Sequence, residues 1–177
     1  MDALYRSREF KKIHWKRFLK GAVQQMSTDI RGNIEVIRQR IITAAKRAGR
    51  IPSDIKIVAI TKKVDTERIK QAIACGIDIF GENYIQEAKE KISNLKSQIS
   101  NIRWHFTGSL QKNKAKYAVD LFDMVETVDN VDLAKEIDKR LMDKKPAPEC
   151  LNQGMDILIQ VNIGAEKTKS GCSEKDI

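Results

Sequence analysis

Cysteine is scarce and unpaired in this chain of 177 residues. Cys75, Cys150 and Cys172 are odd in number, far apart and without CxxC spacing. That pattern argues against a disulfide scaffold and a thiolate metal site, and for reduced thiols in a cytosol-like, cytoplasmic compartment. Long apolar runs are missing as well. None approaches the roughly 18 residues a membrane-spanning helix needs, so no membrane association is expected. Residues 1–25 carry seven basic residues, yet no apolar segment follows them, which speaks against a secretory signal. No Gly-rich phosphate fingerprint, Walker loop or metal-ligand cluster occurs, so neither a nucleotide loop nor a metal centre is indicated.

Charge is present but uneven. Residues 1–50 hold 13 Lys/Arg against 4 Asp/Glu, whereas residues 51–177 hold 20 of each, so the net +9 belongs to the head of the chain. A basic arm with Tyr5, Phe10, Trp15 and Phe18 could bind phosphate backbones or an acidic partner. The preferred alternative is an N-terminal extension over residues 1–28, with Met26 a plausible start, and nucleic acid is then not a partner.

Beyond that arm the pattern is orderly. Thr28 or Asp29 can cap a helix with Ile30, Ile34, Ile37, Ile41 and Ala45 on one stripe, ended by Gly49 and Pro52. A strand is expected over residues 56–61, then a helix capped by Asp65 or Thr66 that runs to Gly76. A second strand spans Ile77 to Phe80 and closes in Gly81-Glu82-Asn83-Tyr84. The next helix carries Tyr84, Ala88, Ile92, Leu95 and Ile99. Arg103 to Thr107 reads as the third strand, Gln111 to Val119 as a short helix, and Leu121 to Thr127 as the fourth strand. Asp129 or Asn130 caps a helix with Leu133, Ala134, Ile137 and Leu141. A loop over residues 144–154 leads to a fifth strand, Asp156 to Ile163, and Ser173 begins a further helix. Strands alternating with helices make a parallel α/β sheet, either closed as a barrel or left open and doubly wound.

The first strand is the one with chemistry in view. Val58, Ile60 and Lys62 share one face, and Ile57, Ala59 and Thr61 the other. If the first face lines a barrel interior, Lys62 is a poorly hydrated amine at an apolar mouth, able to attack an aldehyde. The alternative is that Lys62 and Lys63 are the solvated start of a loop. The other strands also end in polar residues: Glu82-Asn83, His105, Glu126-Thr127, and Gln160 with Asn162. In α/β folds such ends converge on one rim. Each has a plainer reading. Glu82 and Asn83 can cap the following helix, His105 can be a hydrogen-bonded core histidine, and Glu126 a solvated strand end. Lys112, Lys114 and Lys116 look like a phosphate patch but equally form a solvated face.

Five ordered motifs carry a resemblance. They are Ala44-Ala45-Lys46-Arg47-Ala48-Gly49-Arg50, Val58-Ala59-Ile60-Thr61-Lys62, Phe80-Gly81-Glu82-Asn83-Tyr84-Ile85-Gln86-Glu87, the run Arg103 to Lys114, and Ile159-Gln160-Val161-Asn162-Ile163 followed by Glu166-x-x-Lys169-Ser170-Gly171. Together they resemble the pyridoxal phosphate homeostasis protein family, which shares the alanine-racemase N-terminal barrel fold. The resemblance implies a (β/α)8 TIM-barrel-like sheet over residues 29–177, incomplete at about five strands, with an N-terminal helix. It implies pyridoxal 5′-phosphate as cofactor, held as a Schiff base by the first-strand lysine, here Lys62, with Asn83 and His105 lining the pocket. It further implies cofactor storage and delivery to recipient apo-enzymes, without catalytic turnover.

The sequence departs from the family in three places. Val64-Asp65 follows the lysine pair where a proline is usual, Ser109 stands where histidine is common, and only five strands are present. The chain is therefore expected to be a piece of the parent barrel. Two other functions are carried alongside: a racemase-type pyridoxal phosphate enzyme, which needs a second base, and a basic-arm binder of nucleic acid or acidic partners.

Overall fold

Short polar side chains set where the helices start. In the computed structural model, which describes residues 29–96, 101–144, 154–166 and 168–173, Asp29 accepts from the Arg31 and Gly32 amides and opens α1, Ile30–Arg47. Asp65 accepts from the Arg68 amide to open α2, Thr66–Ala74. Asn130 accepts from the Leu133 amide to open α5, Val131–Asp143. Each cap satisfies helix amides that lack an intrahelical partner. Between them lie α3, Ile85–Lys96, and α4, Ala115–Leu121, the latter entered through a 3-10 turn at Lys112–Lys114. The basic arm, Ile99, Cys150 and the helix expected after Ser173 fall outside the described residues.

The strands are β1, Ala59–Ile60; β2, Ile79–Glu82; β3, Arg103–Phe106; β4, Met124–Val128; and β5, Asp156–Ile159. All are parallel and paired in chain order, β1-β2-β3-β4-β5. That order separates the two architectures the sequence left open. A doubly wound sheet reverses its strand order at a switch point, whereas a (β/α) barrel adds each strand beside the last. The five strands advance in one direction, as in a TIM-like barrel.

Several boundaries differ from expectation. β1 is two residues long because only Ala59 and Ile60 pair along β2; Lys56, Ile57 and Val58 lie outside the paired strand. Gly81 and Glu82, expected as a closing turn, belong to β2 and pair with His105 and Phe106. Leu121 ends α4 instead of starting a strand, and β5 stops at Ile159, four residues early.

One face of the sheet carries the core. Phe80, Trp104, Phe106 and Val125 pack with Ile69, Ala88, Ile92, Leu95, Phe122, Leu133 and Ile137 from the helices. The Phe80 and Trp104 rings lie 5.5 Å apart, and Phe106 meets Phe122 edge-on at 5.2 Å. Truncating one such aromatic to alanine typically costs about 3–5 kcal/mol. The first-strand alternation holds: Ile57 and Ala59 pack on this cluster and Thr61 is buried, while Ile60 is exposed on the other face. Among the described residues no helix is long and apolar enough to cross a membrane, and no metal-ligand cluster forms.

Candidate functional site

The rim at the carboxyl ends of β1, β2 and β3 is built by register. Ile60 pairs with Gly81, and Gly81 with His105. Extending that register by two residues sets Lys62 level with Asn83 and Thr107. His105 sits one layer deeper. It lies between Trp104 and Phe106, both in the helix-side core, so alternation turns it to the opposite face with Ile60 and Gly81. The sequence-expected residues thus occupy one end of one sheet: Lys62 and Asn83 at the lip, His105 beneath.

Lys62 lies in a tight turn. The Thr61 amide donates to the Gly81 carbonyl at 2.9 Å, the last ladder bond of the strand, and the Val64 amide donates back to the Thr61 carbonyl at 3.0 Å. Lys62 and Lys63 are the two central residues, both exposed. Lys62 is thus not the poorly hydrated amine expected of the strand face; it stands, as the alternative had it, at the solvated start of a loop. Lys63 has φ of +59°, a left-handed conformation that costs a residue with a side chain about 1 kcal/mol.

A buried ionic cluster holds this turn. Lys91 on α3 is only 9% exposed at its side chain, and its three ammonium hydrogens meet three acceptors. These are the Thr61 carbonyl at 2.6 Å, Glu82 Oε1 at 2.8 Å and Glu87 Oε1 at 2.6 Å. Thr61 Oγ1 donates to Glu82 Oε1 at 2.7 Å, and Glu87 Oε1 accepts from the Lys63 amide. Glu82 is fully buried, and its Oε2 has no hydrogen-bond partner. The bond from Lys91, supported by the Lys63 amide and by both lysine charges, holds the Glu87 carboxyl below its ordinary range against the opposing cost of burial.

Two of the plainer sequence readings change here. Glu82 does not cap α3; its side chain is spent on Lys91 and Thr61. Glu126 is not a solvated strand end. It is half-buried, and its Oε1 lies 2.6 Å from His105 Nδ1. A carboxylate on Nδ1 fixes the ring and leaves Nε2 as the other functional nitrogen. His105 is therefore the hydrogen-bonded histidine the sequence allowed, on the face opposite the helix-side core. Asn83 is half-buried and takes a 3.1 Å bond from Thr107 Oγ1 at its Oδ1. Lys112, Lys114 and Lys116 are exposed, with Lys114 and Lys116 against the Tyr117 ring.

The Lys91 cluster was missed by sequence reasoning. The four-residue spacing of Glu87 and Lys91 on one helix was its available signal.

Beyond β5, Asn162 folds its own loop. Its Nδ2 donates to the Glu166 and Lys169 carbonyls, and its Oδ1 accepts from the Glu166 amide. Gln160 Nε2 donates to the Ser170 carbonyl at 2.8 Å, and Cys172 pairs with Val161 in an isolated bridge.

Chemically, the rim offers an exposed primary amine on a braced backbone, an amide beside it, and an imidazole–carboxylate pair below. An exposed amine can condense with a carbonyl, and an amide and an imidazole can hydrogen-bond a polar ligand.

Comparison with known proteins places the chain among relatives of one family. Residues 29–177 match the family model described as alanine racemase, N-terminal domain. A pyridoxal phosphate homeostasis protein of Haemophilus influenzae is 36% identical over 149 residues, covering 84% of this chain and 60% of that protein. Its Escherichia coli K12 counterpart is 38% identical over 144 residues, covering 81% and 58%. The structure of PipY from Synechococcus elongatus with pyridoxal phosphate bound superposes with a TM-score of 0.61 at 29% identity, over 77% of this chain and 59% of that one. The chain spans about 60% of the length of the curated relatives it matches.

Proposed function

The chain belongs to the alanine racemase N-terminal domain family, and from that premise we propose that it binds pyridoxal 5′-phosphate through Lys62 and serves cofactor homeostasis in the cytoplasm. The observation that carries the proposal is the turn Thr61–Val64. It presents an exposed lysine at the carboxyl rim of the first strand, on a backbone tied from both sides. Relatives named for pyridoxal phosphate homeostasis, and a structural neighbour holding that cofactor, supply the ligand's identity.

The capture is a simple condensation. The Lys62 amine would add to the aldehyde carbon, with a C=N bond formed and the carbonyl oxygen lost as water with the two amine hydrogens. When bound, the cofactor brings an electron-withdrawing ring to that nitrogen. Asn83 at the same level and His105 one layer below would line the pocket. Glu126 on Nδ1 would keep His105 Nε2 available to the ring.

Storage, not turnover, is the role proposed. Racemisation needs one base on each face of the bound substrate. At the described rim, Lys62 is assigned to capture and Lys91 has all three ammonium hydrogens bonded, which leaves the His105 imidazole, oriented by Glu126, as a single further base. The recipients would be apo-enzymes that draw the aldehyde off by the reverse condensation.

Equilibrium binding tests the proposal. The chain is expected to retain pyridoxal 5′-phosphate through dialysis with a visible absorbance band. Lys62→Ala is expected to lose both the band and the retention while keeping its far-ultraviolet circular dichroism. Unchanged retention in Lys62→Ala would move the site elsewhere. Appearance of the D-isomer from an L-amino acid would replace storage with racemase chemistry.

A further inference from the structure

We propose that Lys91, seated between Glu82 and Glu87, is the positioning residue that sets Lys62 for aldehyde capture, acting through the Thr61–Val64 turn and not through the cofactor. The inference rests on the reading of Lys62 given above and adds to it the group that governs that amine's placement.

Two features of the turn need an external hold. Lys63 occupies a left-handed conformation that its side chain disfavours. Both central residues, Lys62 and Lys63, are also exposed, so their own packing does not hold the turn. Lys91 answers the first need directly: its ammonium binds the Thr61 carbonyl, the same oxygen that accepts from the Val64 amide. Through Glu87, which bridges Lys91 and the Lys63 amide, it fixes the second half of the turn. Through Glu82 it fixes the Thr61 side chain as well. Thr61 is held at its amide, its carbonyl and its hydroxyl, and Lys63 at its amide. Lys62 is the residue between them.

The cluster's composition supports a positioning role over a stabilising one. A buried carboxylate and ammonium are costly to desolvate, and a well-packed apolar pair commonly stabilises as much or more. Glu82 even leaves Oε2 buried without a hydrogen-bond partner, an added cost. What the ionic cluster supplies that apolar side chains could not is directed donors and acceptors at three backbone and side-chain groups of the turn. Lys91 cannot itself be the capturing amine in this arrangement. It is buried, and its three N–H groups are all bonded.

The test uses the full chain with Lys91→Met, which keeps length but removes the donors, and with Glu87→Ala, which leaves the buried Glu82–Lys91 pair in place. Amide hydrogen exchange at Lys63 and Val64 reads the turn without any cofactor. Protection is expected in the wild type and is expected to be lost in Lys91→Met and reduced in Glu87→Ala. Binding is then measured for pyridoxal 5′-phosphate and for pyridoxine 5′-phosphate, which has the ring and phosphate but no aldehyde. Loss of about 10-fold or more in affinity for the aldehyde, with pyridoxine 5′-phosphate binding unchanged, supports the proposal. Glu87→Ala, which still folds if Lys91→Met does not, is expected to show the same split to a smaller degree. Equal loss for both ligands makes Lys91 merely structural and overturns the proposal, as does wild-type protection of the two amides in Lys91→Met. A wild-type chain that captures no aldehyde overturns the Lys62 reading and this inference with it, whereas normal capture in both variants overturns this inference alone.

Discussion

At Glu87 a single carboxylate oxygen holds two groups at once, the Lys91 ammonium and the Lys63 amide. The Lys91 bond is the larger reason its pKa lies below the ordinary 4.5. A carboxyl depressed in the folded state adds stability above its unfolded value and loses it as pH falls through the folded one. The urea midpoint of the wild type should therefore exceed that of Glu87→Gln most clearly near neutrality. The gap should narrow as pH falls below the ordinary 4.5 and on through the depressed folded value, where the wild-type carboxyl is protonated as well. A gap that persists unchanged into acid would assign Glu87 a packing role only. The same residue explains a limit of sequence reading. Glu87 and Lys91 announce themselves as an ordinary helix pair at four-residue spacing. Their third partner, Glu82, lies in the preceding strand, and the Thr61 carbonyl lies thirty residues back. Nothing local marks that convergence, which requires α3 to fold back along β2.

Among the elements, the β3–α4 connection is closely confined at Gly108. Gly108 passes so close to β2 that a Cβ there would sit 2.2 Å from the Asn83 carbonyl oxygen. Backbone cannot yield as a side-chain tip does. Gly108→Ala should therefore destabilise the chain by about 1–3 kcal/mol through overpacking, measurable as a lowered denaturation midpoint; a midpoint within error of wild type would contradict the close approach. Helix positions were largely legible in sequence because their signals are local. Asp65 and Asn130 cap the helices they precede, and Ala88, Ile92 and Leu95 are buried as their spacing implies, whereas Tyr84, expected on the same stripe, precedes the helix and is exposed. Strand limits were less legible. β1 pairs for only two residues because β2 is its sole described neighbour, and Gly81-Glu82 reads as a turn by composition while pairing as strand. In both places the outcome depends on a partner strand and not on the segment's own residues. His105 was legible from its neighbours: the buried aromatics Trp104 and Phe106 on either side turn the residue between them to the other face. Its carboxylate partner, Glu126, was visible only as a strand end.

On the scale of the molecule, sheet order carries most of the functional weight. Because each strand lies beside its predecessor, the carboxyl ends of β1, β2 and β3 place Lys62, Asn83 and His105 at one rim although they are dozens of residues apart. The helices cover one face of that sheet, and the charged cluster under β1 sits where the covered face meets the rim. At the other side, Ile157, Leu158 and Ile159 of β5 are exposed, a contrast with the fully buried β2. The measurement that bears most directly on Lys62 is borohydride reduction of the full chain with pyridoxal 5′-phosphate, followed by peptide mass mapping. Reduction should leave one stable pyridoxyl adduct, on the peptide containing Lys62, at near-stoichiometric yield and ahead of every other lysine. An adduct spread over the surface lysines, or fixed on any residue but Lys62, would contradict it.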